Sequence, residues 1–262
     1  MFNKLFPRHR RRSFRWPATS QTEIAALLKR LHPTVPPSGL FRMGAIGDGG
    51  YLVPDCLDGC EACYSPGVCD VSKFEKDCSS RGMRVYLADA SVDRPAETDD
   101  HFFFTKKFIG AVDSSEFMTM DTWVQQTMGE SGNNMLLQMD IEGFEYESIL
   151  SMSNQLLQRF RIIVIEFHDM HQMWNKLAFE SAIRPTFQKL LANHLCVHSH
   201  PNNNRPIFHH AGIGIPPLIE MTFLRRDSAE GALPATQFPH PLDHDCGDLP
   251  SITLPPCWHA EQ

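Results

Sequence analysis

The sequence has too few cysteines, eight in 262 residues, for a fold held together by disulfides. Cys56, Cys60 and Cys63 are closely spaced, but no second pair accompanies them, so a structural zinc site is not expected. No apolar run comes near the roughly 20 residues of a membrane-spanning helix, and the first residues lack the apolar stretch of a secretory signal. These absences predict a cytoplasmic protein without a transmembrane segment.

Two phosphate-binding motifs are also missing. The chain contains neither G-x-G-x-x-G nor G-x-x-x-x-G-K-[ST], which argues against a dinucleotide and excludes a P-loop. The turn at Ser65 to Gly67 could bring a ligand close to the backbone. A nucleoside without phosphate groups is therefore the favoured ligand.

Acidic residues are absent from the first 16 positions, which hold six lysines and arginines. The whole chain has a formal net charge of −7, so the remainder carries −13. An acidic body argues against a general nucleic-acid binder. We expect residues 1–19 to form a flexible basic arm that could contact an anionic surface, such as a membrane, a polyanion or RNA.

Strand and helix patterns alternate from residue 61 onward. The predicted strands are 62–64, 83–88, 102–109, 135–139, 161–167, 195–199 and 218–224. The predicted helices are 20–31, 72–81, 121–128, 145–159 and 175–193, the last interrupted or restarted at Pro185. Such alternation indicates an α/β fold with a mostly parallel sheet and helices on both faces. We expect one domain over residues 20–230, with a helical N-terminal extension and a glycine-rich turn or hairpin at 41–51. A loose, proline-rich tail at 231–262 would follow it.

Polar residues follow five of the predicted strands. In an open α/β sheet, ligands bind beyond the carboxyl ends of the strands. Any one of these residues has an ordinary explanation: Asp140 could cap a helix, and His168 could be a hydrogen-bonded loop histidine. Together they predict a site, and Asp89 could accept hydrogen bonds from both hydroxyls of a ribose. The set is Ser65, Gly67 and Asp70; Asp89; Asp140 and Glu142; Glu166, His168 and Asp169; and His198, His200, Asn202 and Asn203.

Five segments, in order, resemble FkbM-type S-adenosylmethionine-dependent methyltransferases. They are R-x-G-x-x-x-D-G-G-Y at 42–51, Y-S-P-G-V-C-D-x-S-x-F-E at 64–75, M-D-I-E-G-F-E at 139–145, I-E-F-H at 165–168 and H-x-H-x-N-N at 198–203. The departures are Pro66, where an aromatic residue is usual, and Cys69, where glycine is usual. The resemblance implies a Rossmann-like class I methyltransferase fold. Its seven-stranded sheet would be mostly parallel, with 218–224 as the antiparallel last strand.

The resemblance also implies a cofactor, S-adenosylmethionine, and a place for it. Asp140 would lie beside the sulfonium and the acceptor. The other cofactor-binding residues would be Ser65, Gly67 and Asp70 near the methionine and ribose, Asp89 on the ribose, Ala111 in the loop flanking adenine, and Asp48 and Tyr51 closing over the cofactor.

The implied reaction is an in-line methyl transfer to a hydroxyl of a sugar or glycan-like acceptor. A hydroxyl must lose its proton, so His168 or His200 is expected to act as the general base, with Asp140 also in the catalytic set. Asp140, His168 and Asp169, together with Glu142, could hold Mg²⁺ or Mn²⁺.

Two other classes of function remain open from the residues. A metal-dependent hydrolase or oxygenase could use the same histidine and carboxylate rim, although no H-E-x-x-H pattern is present. A non-catalytic binding module could keep the fold, which Pro66 and Cys69 leave open. An RNA methyltransferase is a variant of the main prediction that the basic arm suggests.

Overall fold

The computed structural model describes residues 17–68 and 71–260. The basic residues of the predicted arm, up to position 16, and the predicted cofactor residue Asp70 therefore lie outside the described part. Near residue 17, Ala18 forms an antiparallel bridge with Asn175, and the Thr19 N–H donates to the Trp174 carbonyl.

The described residues form a mixed α/β fold. The strands are β1 (Thr34–Val35), β2 (Leu40–Gly44), β3 (Gly50–Pro54), β4 (Ala62–Pro66), β5 (Arg84–Ala88), β6 (Phe102–Thr105), β7 (Phe108–Ile109), β8 (Phe117–Met118), β9 (Met135–Met139), β10 (Phe160–Phe167), β11 (His194–Pro201), β12 (Phe208–His210), β13 (Ile213–Ile215), β14 (Ile219–Arg225) and β15 (Leu233–Pro234). The α-helices are α1 (Gln21–Arg30), α2 (Lys73–Ser80), α3 (Met120–Thr127), α4 (Glu145–Ser151), α5 (Asn154–Arg159), α6 (Lys176–Ala178) and α7 (Arg184–Asn193).

The central sheet has seven strands in the order β6-β5-β4-β9-β10-β14-β11. Pairing is parallel from β6 through to β10, whereas β14 runs antiparallel to both β10 and β11. The last long strand is thus inserted between its neighbours. This confirms the predicted Rossmann-like sheet with an antiparallel final strand.

Both faces of the sheet are covered, which explains the unbroken apolar run in β10. Ile163 and Ile165 belong to the core cluster that includes residues of α1, α3, α4, α5 and α7. Ile162 and Val164 point into a second cluster, which includes residues of α2 and of the β2–β3 hairpin. A central parallel strand buried on both sides needs such a run.

Local signals account for several element boundaries. The Ser20 hydroxyl accepts from the Glu23 N–H, and the Glu23 carboxylate accepts from the Ser20 N–H, so the predicted capping box begins α1. The expected single helix over 145–159 is wrong. The helix α4 ends with Met152 as its C-cap, and α5 begins with Ser153 as its N-cap. The predicted restart near Pro185 is confirmed, because α7 begins at Arg184 after a π-helical segment, Phe179–Ile183, and Pro185 lies in the first turn of α7.

The C-terminal segment packs on the domain, so the expectation of a loose tail is wrong. The Trp258 side chain is fully buried, and its Nε1–H donates to the Gly214 carbonyl at 2.9 Å. Leu254 is buried in the same core cluster. These apolar residues are too sparse to form a periodic pattern, although they fill the core. Among residues 17–68 and 71–260, no helix is long and apolar enough to cross a membrane.

Candidate functional site

Two cavities of different chemistry meet at the carboxyl ends of the parallel strands. The smaller has a volume of about 300 Å³ and the larger about 710 Å³. Asp140, directly after β9, and Glu142 line both cavities. A narrow recess of about 60 Å³ adjoins them, and Asp48, Tyr51, Gly67 and Asp140 line it. Asp140 is therefore the side chain shared by all three spaces.

The smaller cavity combines aromatic walls with the carboxylate of Asp89, in addition to the shared Asp140 and Glu142. Phe108, Phe117 and Phe144 line it, and the ring centroids of Phe117 and Phe144 lie 5.7 Å apart. Asp89, after β5, accepts hydrogen bonds from the Val68 N–H at 3.0 Å and from Ser91. Flat apolar walls suit a planar base, and a carboxylate at the end of this strand suits a ribose.

Gly67 allows two strand-end loops to approach closely. Its φ is +89°, and a Cβ there would lie 1.6 Å from the carbonyl oxygen of Asp140. The Asp140 N–H in turn donates to the Pro66 carbonyl at 3.3 Å. Proline therefore fits at position 66, because that residue contributes its carbonyl to this contact. Gly67 thus allows the turn at residues 65–67 to lie directly against the loop after β9.

The other predicted cofactor residues divide into two groups. Asp48 and Tyr51 line the recess as expected. Ser65 is fully buried behind it, where its hydroxyl contacts Glu75 Oε1 at 2.5 Å and Gln138 Oε1 at 2.6 Å. Ala111, which was predicted to flank adenine, does not line the smaller cavity. Residues of β7 and β8 line it instead.

His168 is held by a carboxylate that the sequence analysis did not assign to the site. Glu145 is completely buried, and its Oε1 lies 3.1 Å from His168 Nδ1. The same oxygen accepts from the N–H groups of Ile141 at 3.1 Å and Gly143 at 3.0 Å. The opposite ring nitrogen, His168 Nε2, lies 3.9 Å from Asp140 Oδ1 and 3.5 Å from Glu142 Oε2. Glu145 therefore directs Nε2 toward the larger cavity.

Burial and neighbouring charges shift the pKa values of both catalytic candidates. Burial raises the pKa of Asp140 to about 7, against the opposing effect of His168, and the negative charge of Glu142 adds to the rise. Burial alone would lower the pKa of His168, but the Glu145 hydrogen bond and the surrounding carboxylates raise it to about 9. Strong shifts of this kind are typical of functional sites.

The group that could hold a metal differs from the predicted one. Ligand atoms of Asp140, Glu142 and His168 lie within 4.8 Å of one another. Asp169 does not belong to this group, and its Oδ1 lies 3.9 Å from His171 Nδ1. Glu142 and Asp169 both have positive φ, 55° and 53°, a conformation that redirects a side chain and that the sequence does not reveal.

His200, the second histidine predicted as a base, does not line the larger cavity. Its Nδ1 lies 3.4 Å from Asp243 Oδ2 and its Nε2 lies 3.1 Å from the His244 carbonyl. Both ring nitrogens therefore contact the C-terminal segment. Of the two histidines considered for the base, only His168 reaches the cavity.

The larger cavity has one acidic and polar side and one apolar side. The acidic side includes Glu166, whose Oε1 accepts from Asn202 Nδ2 at 2.7 Å. The apolar side, which the sequence analysis missed, comprises Pro206, Ile207, Phe208, Pro217 and Leu218. Phe208 belongs to the β12–β13 hairpin, and its only sequence signal is the Ala211-Gly212 turn.

With the geometry established, comparison with known families identifies the central part of the chain. Residues 84–204 match the family model of the methyltransferase FkbM domain. The range matched by this family model contains Asp89, Asp140, Glu145 and His168, so the resemblance inferred from the motifs is confirmed. Comparison with curated proteins finds no match to the sequence. The β2–β3 hairpin, β4 with Gly67, and the C-terminal segment lie outside the matched range of the FkbM domain.

Proposed function

We propose that the protein is an S-adenosylmethionine-dependent O-methyltransferase acting on a hydroxyl of a sugar or glycan-like small molecule. The position of Asp140, shared by an aromatic cavity, a recess and an acidic cavity, carries this proposal. A nucleoside fits the first space and a polar acceptor fits the last. The two reacting groups would then meet beside Asp140, where positioning supplies a large part of the rate.

The residues around the smaller cavity fit S-adenosylmethionine, which supplies an electrophilic methyl group when bound. Phe108 and Phe117 would flank the adenine, and Asp89 would bind the ribose. Asp48 and Tyr51 would enclose the methionine end from the recess. The pKa of Asp140 is raised to about 7, so about half of this side chain is ionised at neutral pH, and the ionised form would stabilise the sulfonium at close range.

The two sides of the larger cavity support a sugar-like acceptor. A sugar ring presents hydroxyl groups at its edges and C–H bonds on its faces. Carboxylates and the Asn202 amide can bind the edges, and Phe208 with its apolar neighbours can cover a face. A volume of about 710 Å³ lies within the usual range of small-molecule sites.

His168 would act as the general base. Glu145 accepts from Nδ1–H and leaves Nε2 free to take the acceptor's proton. Because the pKa of His168 is raised to about 9, its imidazole is mostly protonated at neutral pH. The base form grows as pH rises, so the rate should increase with pH until it levels off above about 9.

The same side chains also fit a divalent ion. Asp140 Oδ1 is buried without a hydrogen-bond partner in the described structure, and carboxylates with imidazole suit Mn²⁺ or Mg²⁺. Such an ion would be held by Asp140, Glu142 and His168 and would acidify an acceptor hydroxyl. Nε2 can serve as a ligand or as the base, but not both at once, because Nδ1 is bonded to Glu145.

Labelled methyl transfer tests the proposal. The acceptors are methyl glycosides of glucose, galactose, mannose and fucose, with RNA as a separate arm. We expect alkali-stable label on a glycoside, and loss of transfer by about 100-fold or more in His168→Ala and Asp140→Asn. S-adenosylhomocysteine binding should survive His168→Ala. Wild-type rates in both variants would refute the assigned roles, and label only on RNA would refute the acceptor class.

The cysteines support a cytoplasmic location as part of this proposal. The described cysteines are all free thiols, including the buried Cys60, Cys63 and Cys78. Unpaired thiols are typical of a reducing compartment.

A further inference from the structure

A short part of the C-terminal segment covers the end of β11 next to the larger cavity, which the proposed function assigns to the acceptor and which we call the acceptor cavity. We call residues 240–249 the C-terminal strap. Asp243 lies between two histidines of β11, with Oδ1 2.9 Å from His198 Nε2 and Oδ2 3.4 Å from His200 Nδ1. The carboxylate also accepts from the His240 N–H at 2.8 Å. A single aspartate therefore holds the strap against the sheet. We call the contact of Asp243 with His198 and His200 the clasp.

A second attachment joins the strap to the loop after β11. The Asn203 side chain is 1% exposed and donates from Nδ2 to the carbonyls of Gly247 at 2.9 Å and Leu249 at 2.5 Å. Its Oδ1 accepts from the Gly247 N–H at 2.9 Å. Both N–H groups of this amide donate to the strap, and its oxygen accepts one hydrogen bond from the strap. These three bonds hold Asn203 in place.

The residues on either side of Asn203 line the acceptor cavity. Asn202 binds Glu166, and the Asn204 N–H donates to Asn202 Oδ1 at 2.9 Å. The loop then continues through Arg205 to Phe208 along the cavity wall. The strap itself, which is fully described, does not line the cavity. The strap therefore acts on the cavity indirectly, and this loop is one of its connections.

A third contact reaches the cavity through the sheet. Cys246 Sγ donates to Glu220 Oε1 at 3.0 Å. Glu220 on β14 is directly opposite Glu166 on β10 in the strand register. The strap thus contacts the loop after β11 through Asn203, and it contacts Glu220, the strand neighbour of Glu166.

We propose that the C-terminal strap positions the acceptor-binding loop 202–208, with Asp243 and Asn203 as the positioning residues. The inference rests on the proposed function, since it assigns the larger cavity to the acceptor. The strap lies outside the matched range 84–204. This chain would accordingly use a segment beyond the family domain to set the shape of its acceptor site, while the cofactor side stays independent of it.

The clasp has a defined pH dependence. Burial would raise the pKa of Asp243, but its hydrogen bonds with His198 and His200 lower it well below the usual range. Burial would lower the pKa of His200, but Asp243 and the charge of Glu220 raise it. His240 and Cys246 also face this region from the strap.

The signs of these shifts define when the clasp is strongest. The contribution of Asp243 is present above its unfolded pKa of about 3.9 and is lost as pH falls below it. The contribution of His200 is complete below about 6.5 and is lost as pH rises through its folded value. The clasp is therefore strongest between these limits and weakens in alkali.

Hydrogen–deuterium exchange of the full chain tests positioning without an acceptor. Asp243→Asn and Asn203→Ala should speed amide exchange in residues 202–208 by about tenfold, with exchange across β4, β5 and β9 unchanged. After correction for intrinsic rates, wild-type exchange in the loop should increase from pH 6 to pH 8.5, and Asp243→Asn should remove this increase. The control is Asp227→Asn, which breaks an ion pair with Arg225 instead of the clasp.

Kinetics and cofactor binding test the functional part. With the methyl glycoside that wild type methylates fastest, Asp243→Asn should raise the acceptor KM about tenfold while kcat stays within threefold. Its Kd for S-adenosylhomocysteine should stay within twofold of wild type. Asp227→Asn should match wild type in all three values.

The outcomes separate this inference from the proposed function. Unchanged loop exchange in both folded variants overturns the inference, as does faster exchange with an unchanged acceptor KM. A parallel loss of cofactor binding would mean a general structural role and would also overturn it. Wild-type failure to methylate any glycoside would overturn the proposed acceptor class, while the exchange experiment would still decide whether the strap fixes the loop.

Discussion

Replacing Glu145 with glutamine should lower the pKa of His168. The substitution keeps the size of the side chain and an oxygen for the N–H groups of Ile141 and Gly143. It removes the negative charge that lies 3.1 Å from His168 Nδ1. The protonated imidazole then loses the partner that stabilises it most directly.

The size of the effect follows from the strength of a charged hydrogen bond. Such a bond contributes roughly 1.5–3 kcal/mol, and 1.36 kcal/mol corresponds to one pKa unit. The pKa of His168 should therefore fall from about 9 to roughly 7–8. Asp140 and Glu166 remain and keep it above the value that burial alone would give.

NMR titration of ¹³C-labelled histidine measures this pKa directly and needs no acceptor. The His168→Gln variant assigns the resonance among 13 histidines, and EDTA keeps the site free of metal. Glu147→Gln is the matched control, because it removes an exposed glutamate from the same helix. A wild-type pKa near 6.5, or equal values in wild type and Glu145→Gln, would refute the assignment of Glu145 as the group that orients and charges His168.

Three further predictions concern the cofactor side and the metal. Gly67→Ala should abolish S-adenosylhomocysteine binding and destabilise the fold by about 2 kcal/mol or more, because Cβ would overlap the Asp140 carbonyl. Gly82→Ala, which has a similar φ but open space around it, should keep full binding, and equal effects in thermal unfolding would contradict the close-approach argument. Asp89→Asn should weaken S-adenosylhomocysteine binding about tenfold by calorimetry, and unchanged affinity would remove Asp89 from the ribose site. Mn²⁺, if bound at Asp140, Glu142 and His168, should bind more tightly as pH rises from 7 to 9, because it displaces the His168 proton, and Glu142→Gln should weaken it. Mn²⁺ binding that is insensitive to both changes would place the ion elsewhere.

The sheet could be predicted because its signals are local and repeated. Met135–Met139 was predicted with its observed bounds, since a short apolar run between turn residues fits a buried central strand. The placement of the inserted last strand came from the family resemblance, not from periodicity. The break at Met152 escaped prediction because the cap at Ser153 lies within an otherwise helical pattern.

The position of the site could be predicted from the sequence, but not which of its side chains contact one another. Asp140 and His168 follow adjacent strands, so topology alone brings them together. The pairing of Glu145 with His168 spans 23 positions and depends on the turn that begins α4. The choice of Glu142 over Asp169 as a possible ligand depends on backbone angles at strand ends. The strap contacts arise from irregular segments, which have no periodicity to read.

Calorimetric titration of the purified, dialysed protein with S-adenosylhomocysteine tests the central claim most directly. The account predicts one site with a micromolar Kd, weakened by Asp89→Asn and unchanged by Asp227→Asn. The absence of binding at millimolar S-adenosylhomocysteine, with the wild-type chain folded, would contradict the assignment of the aromatic cavity and the adjoining recess to a methyl donor.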